Sequence, residues 1–385
     1  MRQKYTVDDY RKILGRDLEE SGRIEEKIQE AYAIIRMNDT ARKGARRRKG
    51  LRGVIMSMSA VAAALILSVT AFVANPALAA KLSFIGNIFG TMEKEVSYQG
   101  DYSKDATQLV TPEEVGEDGT TDSPYVQTDQ GITFTISECN YESMAMYLAV
   151  SVESEEGFDE AFRTYPSTAE SGEGERMDYR TLYMTSTSIA DFSEAGVYQG
   201  DPAEGTLSPY YIEGKFVDDH TFAGIIRVDL MYMDIPNEKI PDSFAYHLCV
   251  TDLFTDPEQK HLAGTWEFDL DVKLNRDNTV TKEVNETNED GIGIGKVIKA
   301  SYELNAELVL PESAHAEDYV VAVCDAEGKL LDSQGEFAEV YSLYGRDVSK
   351  VFIYVVDYVT FMDECKGNNA YRLPEKALFQ TEVTF

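Results

Sequence analysis

The sequence predicts a mainly β protein with short cytoplasmic amphipathic helices, one transmembrane helix and then two β-sandwich (Ig-like) domains. Three observations carry this fold class. Residues 6–37 have helical apolar spacing, residues 53–80 carry no charge, and apolar and polar residues alternate with a strand period from about residue 131. The predicted segments are a helical segment at 1–52, the transmembrane helix at 53–75, a juxtamembrane segment and linker at 76–128, and β domains at 129–275 and 276–385.

The charge of the chain is strongly acidic but unevenly divided. The 385 residues have a net charge of −32, to which residues 1–52 contribute +6 and residues 53–385 contribute −38. An acidic chain repels phosphate groups, so this balance argues against a nucleic-acid-binding protein. The excess of basic residues before the charge-free run is instead typical of a membrane topology signal.

The N-terminal segment predicts two short amphipathic helices that are broken at Ser21-Gly22. A segment of this length cannot bury both apolar stripes by itself. Two interpretations stay open: a weakly folded hairpin beside the membrane, or a docking helix for a cytoplasmic protein partner. The candidate partner-binding residues are Val7, Tyr10, Leu14, Ile24, Ile28 and Ile35.

The charge-free run has the length of a membrane span. Its core, residues 54–74, would extend about 30 Å as a helix, which is the thickness of bilayer hydrocarbon. The positive-inside rule then places the N-terminus in the cytoplasm and the C-terminal domains outside the cell membrane. A signal peptide cleaved near Ala79–Ala80 is the alternative, and the long preceding segment favours a retained anchor. The residues that set this topology are Arg46, Arg47, Arg48, Lys49 and Arg52.

The outer part of the chain predicts strands in two groups. In 265–274, Trp266 and alternate apolar residues face one way and charged residues face the other, as in a half-buried antiparallel strand. Irregular spacing with long loops favours sandwiches over repeats, and acidic stretches such as 153–160 are predicted surface loops. The predicted strands are 132–136, 146–152, 182–187, 222–231, 244–250 and 265–274, then, after a connector at 275–291, 292–298, 302–310, 319–324, 350–358 and 377–385.

The sequence contains no catalytic, cofactor-binding or metal-binding constellation, so we expect no cofactor and no enzymatic activity. The four histidines, 220, 247, 261 and 315, are too widely spaced for a zinc motif. The spacing of Glu286, Asn288 and Asp290 resembles the start of an EF-hand loop, but Val297 stands where the bidentate glutamate belongs.

The cysteines are divided evenly between the two predicted β domains. Four cysteines allow three pairings, and only one of these keeps both disulfides within a domain. Reduced thiols are the alternative. The possible intradomain disulfides are Cys139–Cys249 and Cys324–Cys365.

One stretch resembles a known family. A basic segment and an anchor, followed by Asn75-Pro-Ala-Leu-Ala-Ala-Lys81 and Ile85-Gly-Asn-Ile-Phe89, is similar to the domain-of-unknown-function 4179 family of Gram-positive bacterial surface proteins. The segment 98–107 and the run Glu155-Glu-Gly-Phe158 resemble the same family, and 264–268 and 355–363 do so more loosely. The resemblance implies a single-pass protein with an outer β domain and a possible anti-sigma role. It implies no catalytic residues.

These observations predict a membrane-tethered signalling protein. The outer β domain would sense an unknown envelope ligand, and the cytoplasmic segment would bind a sigma factor or another protein. The alternative is a surface-anchored binding or adhesion module whose cytoplasmic part has no regulatory role.

Overall fold

A computed structural model describes residues 86–111, 121–164, 180–192, 208–231, 237–255, 261–333 and 339–385. Its first region is a nine-stranded antiparallel sheet. The strand order is β1-β3-β4-β7-β6-β5-β8-β9, and β2 pairs with β3 beside β1. The strands are β1 (Thr107–Gln108), β2 (Val126–Asp129), β3 (Ile132–Tyr141), β4 (Ala145–Ser154), β5 (Arg180–Asp191), β6 (Tyr211–Phe216), β7 (Thr221–Asp229), β8 (Ser243–Phe254) and β9 (Leu262–Lys273).

The nine-stranded sheet curls around its own apolar face. Alternating residues of β3 and β9 point to the same interior, because side chains alternate along a strand. The ring of Phe134 lies 5.4 Å from that of Phe268 and 6.2 Å from that of Trp266. The last strand of the sheet therefore faces the first long strand across one shared core.

This curled sheet overturns the predicted fold class. A β-sandwich needs two separate sheets, but the pairings of β4 with β7 and of β5 with β8 join all nine strands of the first region into one ladder. Alternation predicts where strands lie and which face is buried, and it does not predict which strands pair. The predicted architecture of two Ig-like β-sandwiches is wrong, while the mainly β content is confirmed.

The described residues contain only four α-helices, all of them short: α1 (Ile88–Met92), α2 (Glu160–Thr164), α3 (Tyr358–Thr360) and α4 (Leu373–Lys376). Within the described ranges, no helix has the length and apolar character needed to cross a membrane. The transmembrane helix predicted at 53–75 and the amphipathic helices predicted in 1–52 lie outside the described residues.

The second region contains two smaller sheets around a common core. The alternating pattern of β15, with Val351, Ile353 and Val355 fully buried, supplies the centre of that core. A helical insertion, 358–376, separates β15 from β16. One sheet has the order β10 (Val280–Thr287), β11 (Gly293–Lys299), β12 (Glu303–Val309) and β14 (Val340–Ser342), and the other has β13 (Tyr319–Cys324), β15 (Lys350–Asp357) and β16 (Phe379–Thr384).

Residues 86–111, which we call the strap, cover the outer face of β4 and β7. Phe89 and Tyr102 of the strap are fully buried against Tyr147 of β4. Tyr102 stacks on Tyr147 with the ring centroids 4.1 Å apart, and Tyr302 of the second region meets Tyr102 edge-on at 4.7 Å. The strap therefore packs against residues of both β regions.

Candidate ligand-binding pocket

A cavity of about 310 Å³ opens where the curled sheet comes closest to closing on itself. It lies between the β2–β3 turn and the beginning of β9, beside the end of β4. Residues from three parts of the chain line it: Gln130, Gly131 and Ile132, then Ser154, Glu155, Glu156, Gly157, Phe158, Asp159 and Phe162, and finally His261, Leu262 and Ala263.

The β2–β3 turn forms one wall because its backbone bends sharply. Gln130 and Gly131 both have positive φ, 50° and 74°, as the two central residues of a type I′ hairpin turn require. Asp129 fixes this turn, since its Oδ1 accepts a hydrogen bond from the Gln130 amide at 2.9 Å. Its Oδ2 accepts another from the Thr265 amide of β9, also at 2.9 Å, and so ties the turn to the far edge of the sheet.

An acidic loop and α2 form the second wall. The Glu155 amide donates to the Gly131 carbonyl at 2.9 Å, and the Phe158 amide donates to the Asp219 carbonyl at 2.7 Å. Asp159 then begins α2, because its Oδ1 accepts the Phe162 amide at 2.8 Å in the manner of a helix cap. These bonds place two buried aromatic rings, Phe158 and Phe162, at the base of the cavity and two exposed carboxylates, Glu155 and Glu156, at its rim.

The third wall is the beginning of β9. His261 bonds through Nδ1 to the Asp252 carboxylate and stacks on Phe254 with the ring centroids 4.7 Å apart. Further along β9, the Trp266 indole Nε1 donates a hydrogen bond to the carbonyl of Ile132 at 3.1 Å. The only tryptophan of the chain is thus bonded to a residue that lines the cavity.

The pocket has the features of a binding site. Carboxylates and aromatic rings converge on a concave space whose volume is at the lower end for small-molecule sites. In the part of the chain that the structure describes, no group of three or more His, Cys, Asp or Glu is placed to hold a metal ion.

The EF-hand-like stretch lies away from the pocket residues. Its Asn288 uses Oδ1 to accept hydrogen bonds from the amides of Asp290 and Ile292, both at 3.0 Å.

A buried ion pair connects the two β regions away from the pocket. Arg227 of β7 donates through Nε and Nη2 to the two carboxylate oxygens of Glu303 at 2.6 and 2.7 Å. Its Nη1 donates to Asp229 at 2.7 Å. Burial opposes the positive charge, but the Glu303 and Asp229 carboxylates outweigh it and raise the pKa of Arg227. The guanidinium therefore stays charged in a bidentate pair that spans the two regions.

Buried carboxyl groups hold the strap. Glu213 accepts the Ser97 amide at 2.7 Å and its hydroxyl at 2.9 Å, and burial raises the pKa of Glu213 to about 7. Glu138 accepts the Phe89 amide at 3.0 Å, and burial raises its pKa as well. The strap is thus fixed to the sheet near its beginning, at Phe89, and in its middle, at Ser97, by carboxyl groups with raised pKa values.

The structure places some of the predicted site residues and leaves others outside. The four cysteines are not bonded to one another in this structure: Cys139 lies on β3, Cys249 lies on β8, and Cys324 and Cys365 share one apolar cluster. The predicted disulfides stay a prediction, with Cys324 and Cys365 in a common environment. The topology residues Arg46, Arg47, Arg48, Lys49 and Arg52 and the partner-binding residues Val7, Tyr10, Leu14, Ile24, Ile28 and Ile35 lie outside the described residues.

Sequence reasoning missed the pocket residues. The stretch 153–160 has the composition of a solvated acidic loop, and that interpretation hides Phe158 within it and Phe162 just beyond it. Phe158 and Phe162 are four residues apart, the spacing at which side chains meet on a helix, and both are buried. An aromatic pair at helical spacing inside an acidic loop was therefore the available signal.

Comparison with known proteins bears on the family. The model of the family described as Domain of unknown function (DUF4179) matches residues 52–154. The match supports the resemblance seen in the sequence, and it takes in the strap and β1 to β4 and ends beside the acidic loop.

Other known proteins add little. No curated protein matches the chain. A solved structure, described as the crystal structure of the conserved domain protein from Bacillus anthracis, matches with a TM-score of 0.38 and 11% sequence identity over 74% of this chain and 93% of that chain. A likeness of that size carries no argument about fold or function.

Proposed function

We propose that the chain is a membrane-tethered signalling protein whose extracytoplasmic β region binds a small envelope ligand in the pocket. The observation that carries this proposal is the pocket itself: a cavity of about 310 Å³ at the open end of the curled sheet, with carboxylates and aromatic rings facing it. The cytoplasmic segment would bind a protein partner, and the family resemblance favours a sigma factor as that partner.

The strap supports the signalling half of the proposal. It is the described segment nearest to the N-terminal part of the chain, and it packs on β4, whose last residue, Ser154, lines the pocket. A ligand that alters the end of β4 therefore acts on a strand that the strap covers. Such a change produces a signal only if the ligand binds one arrangement of the strap more tightly than another.

The test compares two variants of the full chain in the native host. Deletion of residues 1–45 should change transcription if the cytoplasmic segment holds a regulator. Ala263→Trp, at an exposed position that lines the pocket, should change the same set of transcripts by filling the cavity. Asp271→Trp, also exposed on β9 but outside the lining, is the matched control. An unchanged transcriptome in the deletion strain would remove the regulatory function.

A surface-anchored binding or adhesion module is the second candidate function. The helical insertion 358–376 favours it, since Val359 is 62% and Tyr371 is 76% exposed. Both side chains belong to one short insertion, and exposed apolar residues that form a patch are typical of interaction sites. In this case a chain without residues 1–45 should adhere as the complete chain does, and Val359→Ser with Tyr371→Ser should weaken adhesion.

A further inference from the structure

The acidic side chains among the described residues that line the pocket all carry negative charge. Glu155, Glu156 and Asp159 face it, and among the described residues that line it there is no lysine or arginine. Arg163 of α2 donates through Nε to the Phe158 carbonyl at 3.1 Å and is not part of the lining. The described lining therefore contributes a negative potential to the pocket.

Two of the three carboxylates have no partner among the described residues. Asp159 caps α2, but within the described part of the chain the side chains of Glu155 and Glu156 accept no hydrogen bond and form no ion pair. Both side chains are exposed at the rim, so solvent or a ligand must satisfy them. Their negative charge is available to a cationic group.

The base of the pocket is aromatic. The rings of Phe158 and Phe162 stack with their centroids 5.5 Å apart and an interplanar angle of 10°. Phe216 meets Phe158 edge-on at 5.3 Å and supports the pair from behind. The parts of these rings that stay exposed, 5% of Phe158 and 3% of Phe162, give a ligand a small apolar contact beside the carboxylates.

We propose that the pocket binds a small organic cation, with an ammonium group at Glu155 and Glu156 and an apolar body over Phe158 and Phe162. This inference rests on the proposed ligand-binding function and names the class of ligand. An inorganic metal ion is the poorer occupant, because the described residues offer no set of three ligands for it. An anion would meet three carboxylates without a counter-charge.

Three probes of similar size and shape but different charge test whether the pocket selects for positive charge. They are 2-phenylethylammonium, 2-phenylethanol and phenylacetate, titrated by calorimetry into the full chain while the fluorescence of Trp266 is followed. We expect the cation to bind, the alcohol to bind about tenfold more weakly, and the anion not to bind, since one charge-assisted contact changes affinity by about that factor. Binding of the cation should also weaken with salt.

A charge-neutralising variant tests where the cation sits. Glu155→Gln with Glu156→Gln should lower the affinity for 2-phenylethylammonium about tenfold and leave that for 2-phenylethanol unchanged. Glu267→Gln with Glu289→Gln changes the net charge equally at exposed positions outside the pocket, and it should leave both affinities unchanged.

The outcomes also distinguish this inference from the proposed function. Equal binding of all three probes, or equal effects of the two double variants, would overturn the cation inference while ligand binding stood. Failure of the cation to bind would overturn it as well. The signalling function fails independently, through an unchanged transcriptome in the 1–45 deletion.

Discussion

At Glu213, burial and hydrogen bonding have opposite effects on the pKa of the carboxyl group. Burial raises its pKa to about 7 from a usual value of 4.5, although the two bonds from Ser97 and the charge of Arg227 act in the opposite direction. A carboxyl whose pKa is raised by folding binds its proton more tightly in the folded state. Its stabilising contribution is complete below about pH 4.5 and is lost as the pH rises through 7.

Glu213→Gln should therefore remove part of the pH dependence of stability. Between pH 5 and pH 8 the free energy of unfolding of the wild type should fall by on the order of 2 kcal/mol more than that of the variant. Urea unfolding at the two pH values measures the difference. Glu267→Gln, at an exposed position, is the control, and parallel pH curves for Glu213→Gln and the wild type would contradict the prediction.

The Arg227–Glu303 pair is the second test at the residue scale. Arg227→Met leaves the Glu303 carboxylate, 2% exposed, without its counter-charge, so it should cost about 3–5 kcal/mol of unfolding free energy. Arg227→Met combined with Glu303→Leu removes both charges and should recover most of that loss. A double-mutant cycle in urea measures the coupling, and additive losses would show that the two charges do not interact.

Among the elements, the strap combines weak local structure with many buried contacts. Its only α-helix has five residues, too few to be stable alone, so its position depends on packing against β4 and β7. Tyr98 illustrates this, because its hydroxyl donates to the Ile225 carbonyl of β7 at 2.6 Å. The strap should therefore be sensitive to the loss of a single aromatic ring.

Tyr102→Ala should destabilise the chain by about 3–5 kcal/mol, since it empties a fully buried site among Phe89, Tyr147 and Tyr302. Amide hydrogen exchange of residues 86–111 should increase more than that of β8 and β9. Tyr210→Ala, 65% exposed, should change stability by less than about 0.5 kcal/mol. Uniform exchange across the sheet would mean that the strap does not loosen separately.

The elements also show what the sequence could and could not predict. Strands such as Tyr319–Cys324 were predicted at their observed bounds, because alternation marks a half-buried strand directly. β10 was predicted as part of a connector, since its exposed polar residues give no apolar period. The pairing of β4 with β7 brings together residues about 75 apart, and no local signal encodes it. The positions of strands with an alternating apolar pattern were thus predictable, whereas β10 and the curled sheet were not.

At the scale of the whole molecule, contacts cross the boundary predicted at residue 275. Glu142 accepts the Ser301 hydroxyl at 3.0 Å, and the Thr279 hydroxyl donates to that of Ser143 at 2.8 Å, in addition to the Arg227–Glu303 pair. The described residues of both regions fall within one compact unit. We therefore expect the two regions to unfold together.

Ile353→Ala tests this cooperativity. Ile353 is fully buried in the core of the second region, and its truncation should cost about 2–5 kcal/mol. Trp266 lies in the first region, so its fluorescence should report the same fall in urea midpoint as circular dichroism of the whole chain. A Trp266 transition that does not move would show two independently unfolding domains.

The pocket could not be predicted at this scale for a related reason. Its walls come from the β2–β3 turn, the acidic loop after β4 and the start of β9, which are far apart in sequence. Only the curl of the sheet brings them together. The sequence showed the acidic and aromatic residues of these walls, including the run Glu155-Glu-Gly-Phe158. It gave no indication that the three segments lie next to one another in the fold.

The gap between β3 and β9 has a mechanical consequence. Every other neighbouring pair in the curled sheet is joined by a backbone ladder, whereas across the gap the structure shows the Asp129 bond to Thr265 and the Trp266 bond to Ile132. A ladder opens only by breaking many backbone bonds in sequence, while two side-chain bonds can part and re-form singly. The sheet is thus stiff wherever neighbouring strands share a ladder, and it can open most easily at the gap between β3 and β9. A ligand that binds at this gap can therefore change the width of the curled sheet without unfolding any strand.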